Sequence, residues 1–158
     1  MPKSNFERLI QLAEEVFAVK SDPNQLDVNE EVRERLYKIH PWCISQHTDE
    51  NGPVAWLLIF PTTNELMQKF LEGKINEKEM FYLTPLNVRY DSIYLCSALV
   101  LEEYRRKGII KNLAIKAISN IRKEHEIKSM FVWAFSEEGR MAAQHMANLI
   151  SLPLYFKE

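Results

Sequence analysis

The residues with the clearest chemical potential are three consecutive cations and a glycine within "LVLEEYRRKGIIKNLAIKAI", residues 99–118. Arg105, Arg106 and Lys107 directly precede Gly108, where an apolar run gives way to an amphipathic pattern. The first N–H groups of a helix lack intrahelical partners and attract anions, and a glycine lets a ligand approach the backbone closely. The pattern therefore predicts a phosphate-binding turn between a strand and a helix. A solvated basic loop joining two elements would contain the same residues, and it stays open as an alternative.

The strand and the helix around this turn belong to a mixed series of elements. Residues 92–101 form a nearly continuous apolar run rich in β-formers, which predicts a central strand covered on both faces. After Gly108, apolar residues recur at helical spacing and predict a long helix. Other segments predict helices at 5–19, at 29–39, between Thr62 and Gly73, and after Ser136, with strands at "PWCISQ", "VAWLLIF", "SMFVWAF" and "LPLYF". Residues 76–91 predict one helical turn and then a loop. Together, the predicted helices and strands indicate the α/β class.

Length and charge exclude several classes of protein. The chain has 158 residues, which suits one domain, and we expect 1–158 to form it. A formal net charge of −2 argues against general nucleic-acid binding. The sequence contains neither a signal-peptide pattern nor an apolar run of roughly 18 residues, so we expect no membrane partner and a cytoplasmic location. Cys43 and Cys96 are too few for a disulfide framework and are interpreted as small buried hydrophobes.

The turn resembles a known family motif. The sequence lacks the glycine patterns of P-loop and Rossmann nucleotide sites, whereas "LVLEEYRRKGII" resembles motif A of the GNAT superfamily of N-acetyltransferases. Val100 matches the valine at the end of the motif's strand, 103–105 match its E-Y-R, and 107–109 match its K-G-I. Three positions depart: Glu102 replaces the usual proline, Arg106 the first glycine, and Ile110 the final small residue.

This resemblance implies a fold, a co-substrate and an activity. The implied fold is GNAT-like, with a mixed, mostly antiparallel sheet that is flanked by helices and splayed at the strand ending near Val100. The implied co-substrate is acetyl-CoA or coenzyme A, with Val100 contacting the pantetheine arm. The implied activity is acyl transfer to a primary amine of a small molecule or a peptide. The phosphate loop would comprise Arg105, Arg106, Lys107, Gly108, Ile109 and Ile110.

Two residues are candidates for catalysis. His145 falls where many GNAT members place a tyrosine in the last helix, so it could donate a proton to the leaving thiolate. Glu102, at the end of the central strand, could accept a proton from the amine. A helix histidine with a backbone partner and a solvated loop acid are the structural alternatives. His40, His47 and Asp49 are too loosely spaced to predict a metal site, and we expect none.

The departures from the motif also support a non-catalytic alternative. A GNAT-like module that binds coenzyme A or docks a partner would tolerate the loss of the final small residue at Ile110 and of the tyrosine pattern. The chain extends only eight residues past the last predicted helix, where family members often carry a longer hairpin. A second chain could complete that edge, so a homodimer is also expected.

Overall fold

The computed structural model describes residues 4–19, 26, 29–134 and 136–158. Helices and strands alternate irregularly along the chain, which confirms the predicted α/β class. The helices are α1 (Asn5–Val19), α2 (Glu30–Ile39), α3 (Asn64–Leu71), α4 (Glu77–Leu83), α5 (Ile109–Arg122) and α6 (Glu137–Ile150). The strands are β1 (Ile44–Asp49), β2 (Gly52–Thr62), β3 (Ser92–Val100), β4 (Ser129–Val132) and β5 (Leu154–Phe156). Among the described residues, no helix is both long and apolar enough to cross a membrane.

The five strands form one mixed sheet in the order β1-β2-β3-β4-β5. β1 pairs with β2 and β2 with β3 in antiparallel fashion, whereas β3 pairs with β4 and β4 with β5 in parallel. Antiparallel pairing dominates because it runs through the longer strands. The sheet and its flanking helices confirm the fold that the GNAT resemblance implies.

The sheet opens between β3 and β4. The two strands pair from Ser92 opposite Ser129 to Leu95 opposite Val132, where β4 ends while β3 continues to Val100. On the other side of β3 the register passes from Ser97 to Leu95, so Cys96 is a β-bulge without a residue opposite it on β2. The splay that the resemblance implies is therefore present, and it begins directly after Leu95.

Large aromatic side chains fill the core beneath this opening. Phe60, Phe70 and Phe131 are fully buried around Tyr94, whose ring meets each of theirs at centroid distances of 5.0–5.3 Å. Tilted and edge-to-face contacts of this kind add stability beyond the area that is buried. The aromatic cluster fixes the position of β3 relative to α3 and β4, and so holds the opening in place.

Local capping signals locate several helix starts. Ser136 caps α6 by accepting a hydrogen bond from the N–H of Gly139, as predicted. The N-cap of α3 is Thr63 rather than Thr62, which is instead buried against Thr84. Asn76 opens a whole helix, α4, where only one helical turn was predicted.

Candidate functional site

A cleft of about 780 Å³ lies where β3 and β4 part. One wall is β3 at residues 95–99, whose edge is free beyond Leu95, and the opposite wall is residues 132–134, at and just after the end of β4, together with α6. The first turn of α5 closes one end through Ile110 and Lys111. Within the described chain, no strand pairs with β3 beyond Leu95 on the side of β4. The backbone N–H and C=O groups of β3 therefore face a cavity large enough for an extended ligand.

The turn before α5 has an unusual backbone. Glu102–Tyr104 form a 3₁₀ turn, and then Arg106 and Gly108 adopt left-handed conformations with φ of +62° and +75°. For a residue with a side chain this conformation costs roughly 1–2 kcal/mol. Arg106 stands where the resembled motif has a glycine, so the turn keeps a backbone shape that glycine would adopt without strain.

The start of α5 is suited to an anion. Gly108 is the N-cap and has no side chain that could cap the first N–H groups of the helix. A Cβ atom at Gly108 would lie 3.6 Å from the Cε of Lys111, so the Lys111 side chain extends alongside this turn. The helix dipole and the ammonium group therefore act at the same place, next to the cleft.

The predicted site residues divide into those in the cleft and those around it. Ile110 and His145 line the cleft, and the His145 side chain is exposed on α6. Val100 ends β3 and pairs with Ala55. Arg105, Arg106 and Lys107 are exposed on the turn. Lys111 also lines the cleft and adds a cation there.

The two acids of the turn serve other purposes than facing the cleft. Glu102 is exposed and does not line the cavity. Glu103 accepts a hydrogen bond of 2.6 Å from the guanidinium of Arg8, and this contact lowers the pKa of Glu103 to about 2. The hydroxyl of Tyr104 donates to Asp49. Glu103 and Tyr104 therefore tie the turn to α1 and to the β1–β2 hairpin, whereas Glu102 has no contact with the cavity.

Comparisons with known proteins add two distant structural likenesses. No protein-family model and no curated protein sequence matches this chain. One structural likeness is to an aminoglycoside acetyltransferase from an uncultured soil metagenomic sample, crystallised with trehalose. The match covers 90% of this chain and 77% of the acetyltransferase chain, with 17% sequence identity and a TM-score of 0.49. The other is to Naa20 from Chaetomium thermophilum in complex with a bisubstrate analogue. The match covers 80% of this chain and 60% of the Naa20 chain, with 12% sequence identity and a TM-score of 0.49. The fold is GNAT-like. Its sheet order, the opening after Leu95 and the turn before α5 are the features that carry this assignment.

A buried carboxylate at the far end of the cleft escaped the sequence interpretation. Glu77 is the first residue of α4, lines the cleft and is 6% exposed. One carboxylate oxygen accepts a hydrogen bond of 2.6 Å from the backbone N–H of Leu26, and the other accepts one from the hydroxyl of Tyr94. The Sγ atom of Cys96 lies 4.0 Å from that second oxygen. The GNAT-like cleft thus has cations at the α5 end and an acid at the α4 end.

The environment of Cys96 argues against a covalent acyl-enzyme. Cys96 lines the cleft, so it is less buried than the sequence interpretation had it. Burial, and after it the charge of Glu77, raise the pKa of the Cys96 thiol well above its usual value. A neutral thiol is a poor nucleophile. The same two causes raise the pKa of Tyr94, which therefore remains a hydrogen-bond donor to Glu77.

The histidines do not form a convincing metal site. His40 lies near Glu124 and His125, and not near His47. The Nδ1 atoms of His40 and His125 accept hydrogen bonds from the backbone N–H groups of Trp42 and Tyr90. In a neutral imidazole the other nitrogen, Nε2, then carries the proton and cannot bind a metal. The Nε2 of His40 lies 3.4 Å from a carboxylate oxygen of Glu124, which fits a buried N–H donor.

Proposed function

We propose that this protein is an acyl-CoA-dependent N-acyltransferase, most simply one that moves an acetyl group from acetyl-CoA to a primary amine. We propose further that residues 1–158 act as a single domain. The observation that carries the proposal is the continuity of the cleft. The open edge of β3 leads directly to the anion-adapted start of α5, so one cavity offers both kinds of contact that coenzyme A needs.

The residues present fit the two chemical parts of coenzyme A. The pantetheine arm is extended and contains amides, which match the free backbone groups of β3 at residues 96–99. The pyrophosphate is a strong anion, which matches the first N–H groups of α5 and the ammonium of Lys111. Arg105 and Arg106 supply further positive charge at the exposed side of the same turn.

Acyl transfer to an amine has three further chemical requirements. The amine must be neutral, the developing oxyanion needs a donor, and the departing thiolate takes a proton. His145 lines the cleft and is the proposed proton donor to the thiolate. Glu102 lies outside the cavity lining, so the geometry does not support it as the base.

Turnover tests the proposal directly. Thiol release from acetyl-CoA is measured with a panel of primary amines, with Gly108→Trp as the inactive reference. We expect amine-dependent thiol release by the wild-type protein and none by the variant, with both proteins giving the same far-ultraviolet circular dichroism spectrum. Release at the same rate by both proteins would contradict the proposal.

Ile110 favours a second candidate, a GNAT-like module that binds without catalysis. Its branched side chain lines the cleft in the first turn of α5, where the resembled motif has a small residue. Such a side chain could displace a bound acyl-CoA from a reactive position. Tight binding of acetyl-CoA without transfer to any amine would favour this module over the enzyme, and restoration of transfer by Ile110→Ala would identify the cause.

A further inference from the structure

The turn before α5 is contacted from outside by the β1–β2 hairpin. The hydroxyl of Tyr104 donates a hydrogen bond to Oδ2 of Asp49, the last residue of β1. These two residues lie 55 positions apart, so the contact joins elements that are distant along the chain. Just before the turn, the backbone N–H of Leu101 donates to the C=O of Val54 on β2 at 2.9 Å. The hairpin therefore contacts both the start of the turn and its tyrosine.

Asp49 is itself fixed in place. Its Oδ1 accepts hydrogen bonds from the side-chain amide of Asn5 at 2.9 Å and from the backbone N–H of Asn51 at 2.7 Å, while Oδ2 accepts from Tyr104. The bonds from Tyr104 and Asn51 lower the pKa of Asp49, so the carboxylate is ionised at neutral pH. With both oxygens bonded, Asp49 is a fixed point to which Tyr104 is attached.

The ring of Tyr104 connects this fixed point to the cations of the turn. It is half-buried and packs against the small apolar cluster that contains Leu9 and Leu101. The Nζ of Lys107 lies over the ring, 5.3 Å from its centroid, which is within the range of a cation–π contact. Tyr104 therefore orients one cation of the proposed phosphate loop and fixes the backbone two residues before Arg106.

The backbone that follows Tyr104 needs such support. Arg106 and Gly108 both have positive φ, and a strained conformation of this kind persists only where the surrounding structure holds it. If the turn relaxed, the first N–H groups of α5 would no longer face an anion in a fixed arrangement, and binding would have to restore that arrangement. A turn that is already shaped raises affinity without adding a contact to the ligand.

We propose that Asp49 is a positioning residue of the phosphate site and that it acts through Tyr104. This inference rests on the proposed binding of coenzyme A at the turn. Neither Asp49 nor Tyr104 is among the described residues that line the cleft. Loss of their hydrogen bond should therefore weaken the binding of the phosphates and leave the reaction of the bound donor unchanged.

The decisive variant is Tyr104→Phe. It removes the hydroxyl but keeps the ring that packs against the cluster and lies under Lys107. We expect the Kd for coenzyme A, measured by calorimetry, to rise roughly five- to tenfold, because part of the energy of a hydrogen bond to a carboxylate would no longer shape the site. At saturating acetyl-CoA, kcat should stay within about twofold of wild type. The matched control is Tyr37→Phe, which removes the hydroxyl of an exposed tyrosine on α2 and should change neither quantity.

A donor without phosphates separates positioning from general support of the fold. S-acetylpantetheine carries the thioester and the pantetheine arm but neither the pyrophosphate nor the 3′-phosphate. For this donor, kcat/KM should be equal in Tyr104→Phe and wild type, whereas for acetyl-CoA it should fall roughly five- to tenfold in the variant. Since kcat/KM is measured well below KM, weak binding of S-acetylpantetheine does not prevent the comparison.

A double-mutant cycle tests whether Asp49 acts through Tyr104. Asp49→Asn keeps the size of the side chain but removes the charged acceptor, so it disrupts the same hydrogen bond as Tyr104→Phe. The double variant should therefore bind coenzyme A no more weakly than the weaker-binding single variant. Losses of affinity that multiply in the double variant would mean that the two residues act independently, and this would overturn the inference.

The outcomes separate this inference from the proposed function. If the wild-type protein does not bind coenzyme A, the proposed function and the inference both fall. If it binds coenzyme A and Tyr104→Phe binds with the wild-type Kd, the inference alone is overturned. Equal losses with acetyl-CoA and S-acetylpantetheine would also overturn it. The calorimetric measurements need no turnover, so they decide the inference even in a protein that binds without transfer.

Discussion

The two ends of the cleft differ in how the chain builds them. The α5 end is made by consecutive residues, Arg105 to Ile110, so a single local turn sets its geometry. The α4 end brings Glu77 to Tyr94 and Cys96, which lie 17 and 19 positions further along the chain. A contiguous turn leaves a readable pattern in a sequence, whereas a site assembled by topology does not.

The two ends also differ in their physical character. The cations of the turn are exposed and act through charge that salt screens. The carboxylate at the other end is buried and held by directed hydrogen bonds, which salt screens far less. Variants at the turn should therefore change co-substrate affinity and its salt dependence.

The largest expected effect, at the turn, comes from Gly108→Trp. A bulky side chain would cover the first N–H groups of α5, and φ of +75° adds backbone strain of roughly 1–2 kcal/mol. We expect the affinity for acetyl-CoA, measured by calorimetry, to fall by about 100-fold or more, close to 3 kcal/mol. Gly73→Trp is the control, because Gly73 has a φ of +76° and open space where a Cβ would lie. Equal loss of affinity in both variants would mean that strain alone is responsible.

A smaller effect is expected from Lys111→Gln. Removal of one cation beside the cleft should weaken acetyl-CoA binding about fivefold, near 1 kcal/mol, and should flatten its dependence on salt. Calorimetric titration at two salt concentrations measures both changes. Lys123→Gln removes the same charge from the opposite end of α5 and should leave both unchanged. If Lys111→Gln retained the wild-type salt dependence, the phosphate would not lie beside Lys111.

Two variants of Arg106 separate the effect of backbone shape from the effect of charge at the turn. Arg106→Gly relieves the left-handed strain, whereas Arg106→Ala removes the same charge and keeps the strain. The free energy of unfolding of the glycine variant should exceed that of the alanine variant by about 1 kcal/mol. Urea denaturation of the two variants measures this difference, and equal stabilities would show that the turn is not strained at this position.

The smallest expected effect concerns His40. This residue lies outside both ends of the cleft, but its titration would alter a pH profile of turnover. Burial lowers the pKa of His40 below the usual value of 6.5. As the pH falls, the imidazole is therefore protonated at a higher pH in the unfolded chain than in the folded one. The contribution of His40 to stability is therefore complete above pH 6.5 and is lost as the pH falls below it. Thermal unfolding between pH 7.5 and 5 should depend less on pH in His40→Asn than in wild type. His47→Asn, at an exposed position, should behave as wild type.

Much of the fold follows from local sequence signals. The apolar run at 92–101 and the N-cap at Ser136 each depend on neighbouring residues, and each is present in the structure. α4 could also have been predicted, because Asn76 and Glu79 form a capping box that is visible in the sequence.

Only part of the candidate site could be predicted from the sequence, and the reason is physical. The turn at 105–110 was located because its charges and glycine are adjacent. The burial of Glu77 depends on contacts with Leu26 and Tyr94, which no spacing rule connects. Glu102 was considered as a candidate base because it ends the central strand, with a solvated loop acid as the alternative; it lies exposed in the 3₁₀ turn that follows Leu101 and does not line the cavity.

The most direct test of the central claim is a calorimetric titration of the wild-type protein with acetyl-CoA and with coenzyme A, at low and at moderate salt. A GNAT-like cleft that accepts the pyrophosphate at α5 predicts micromolar binding of both ligands, with an affinity that falls as salt increases. Absence of binding up to millimolar concentrations would contradict the claim, and it would show that Arg106 and Ile110 have closed the site.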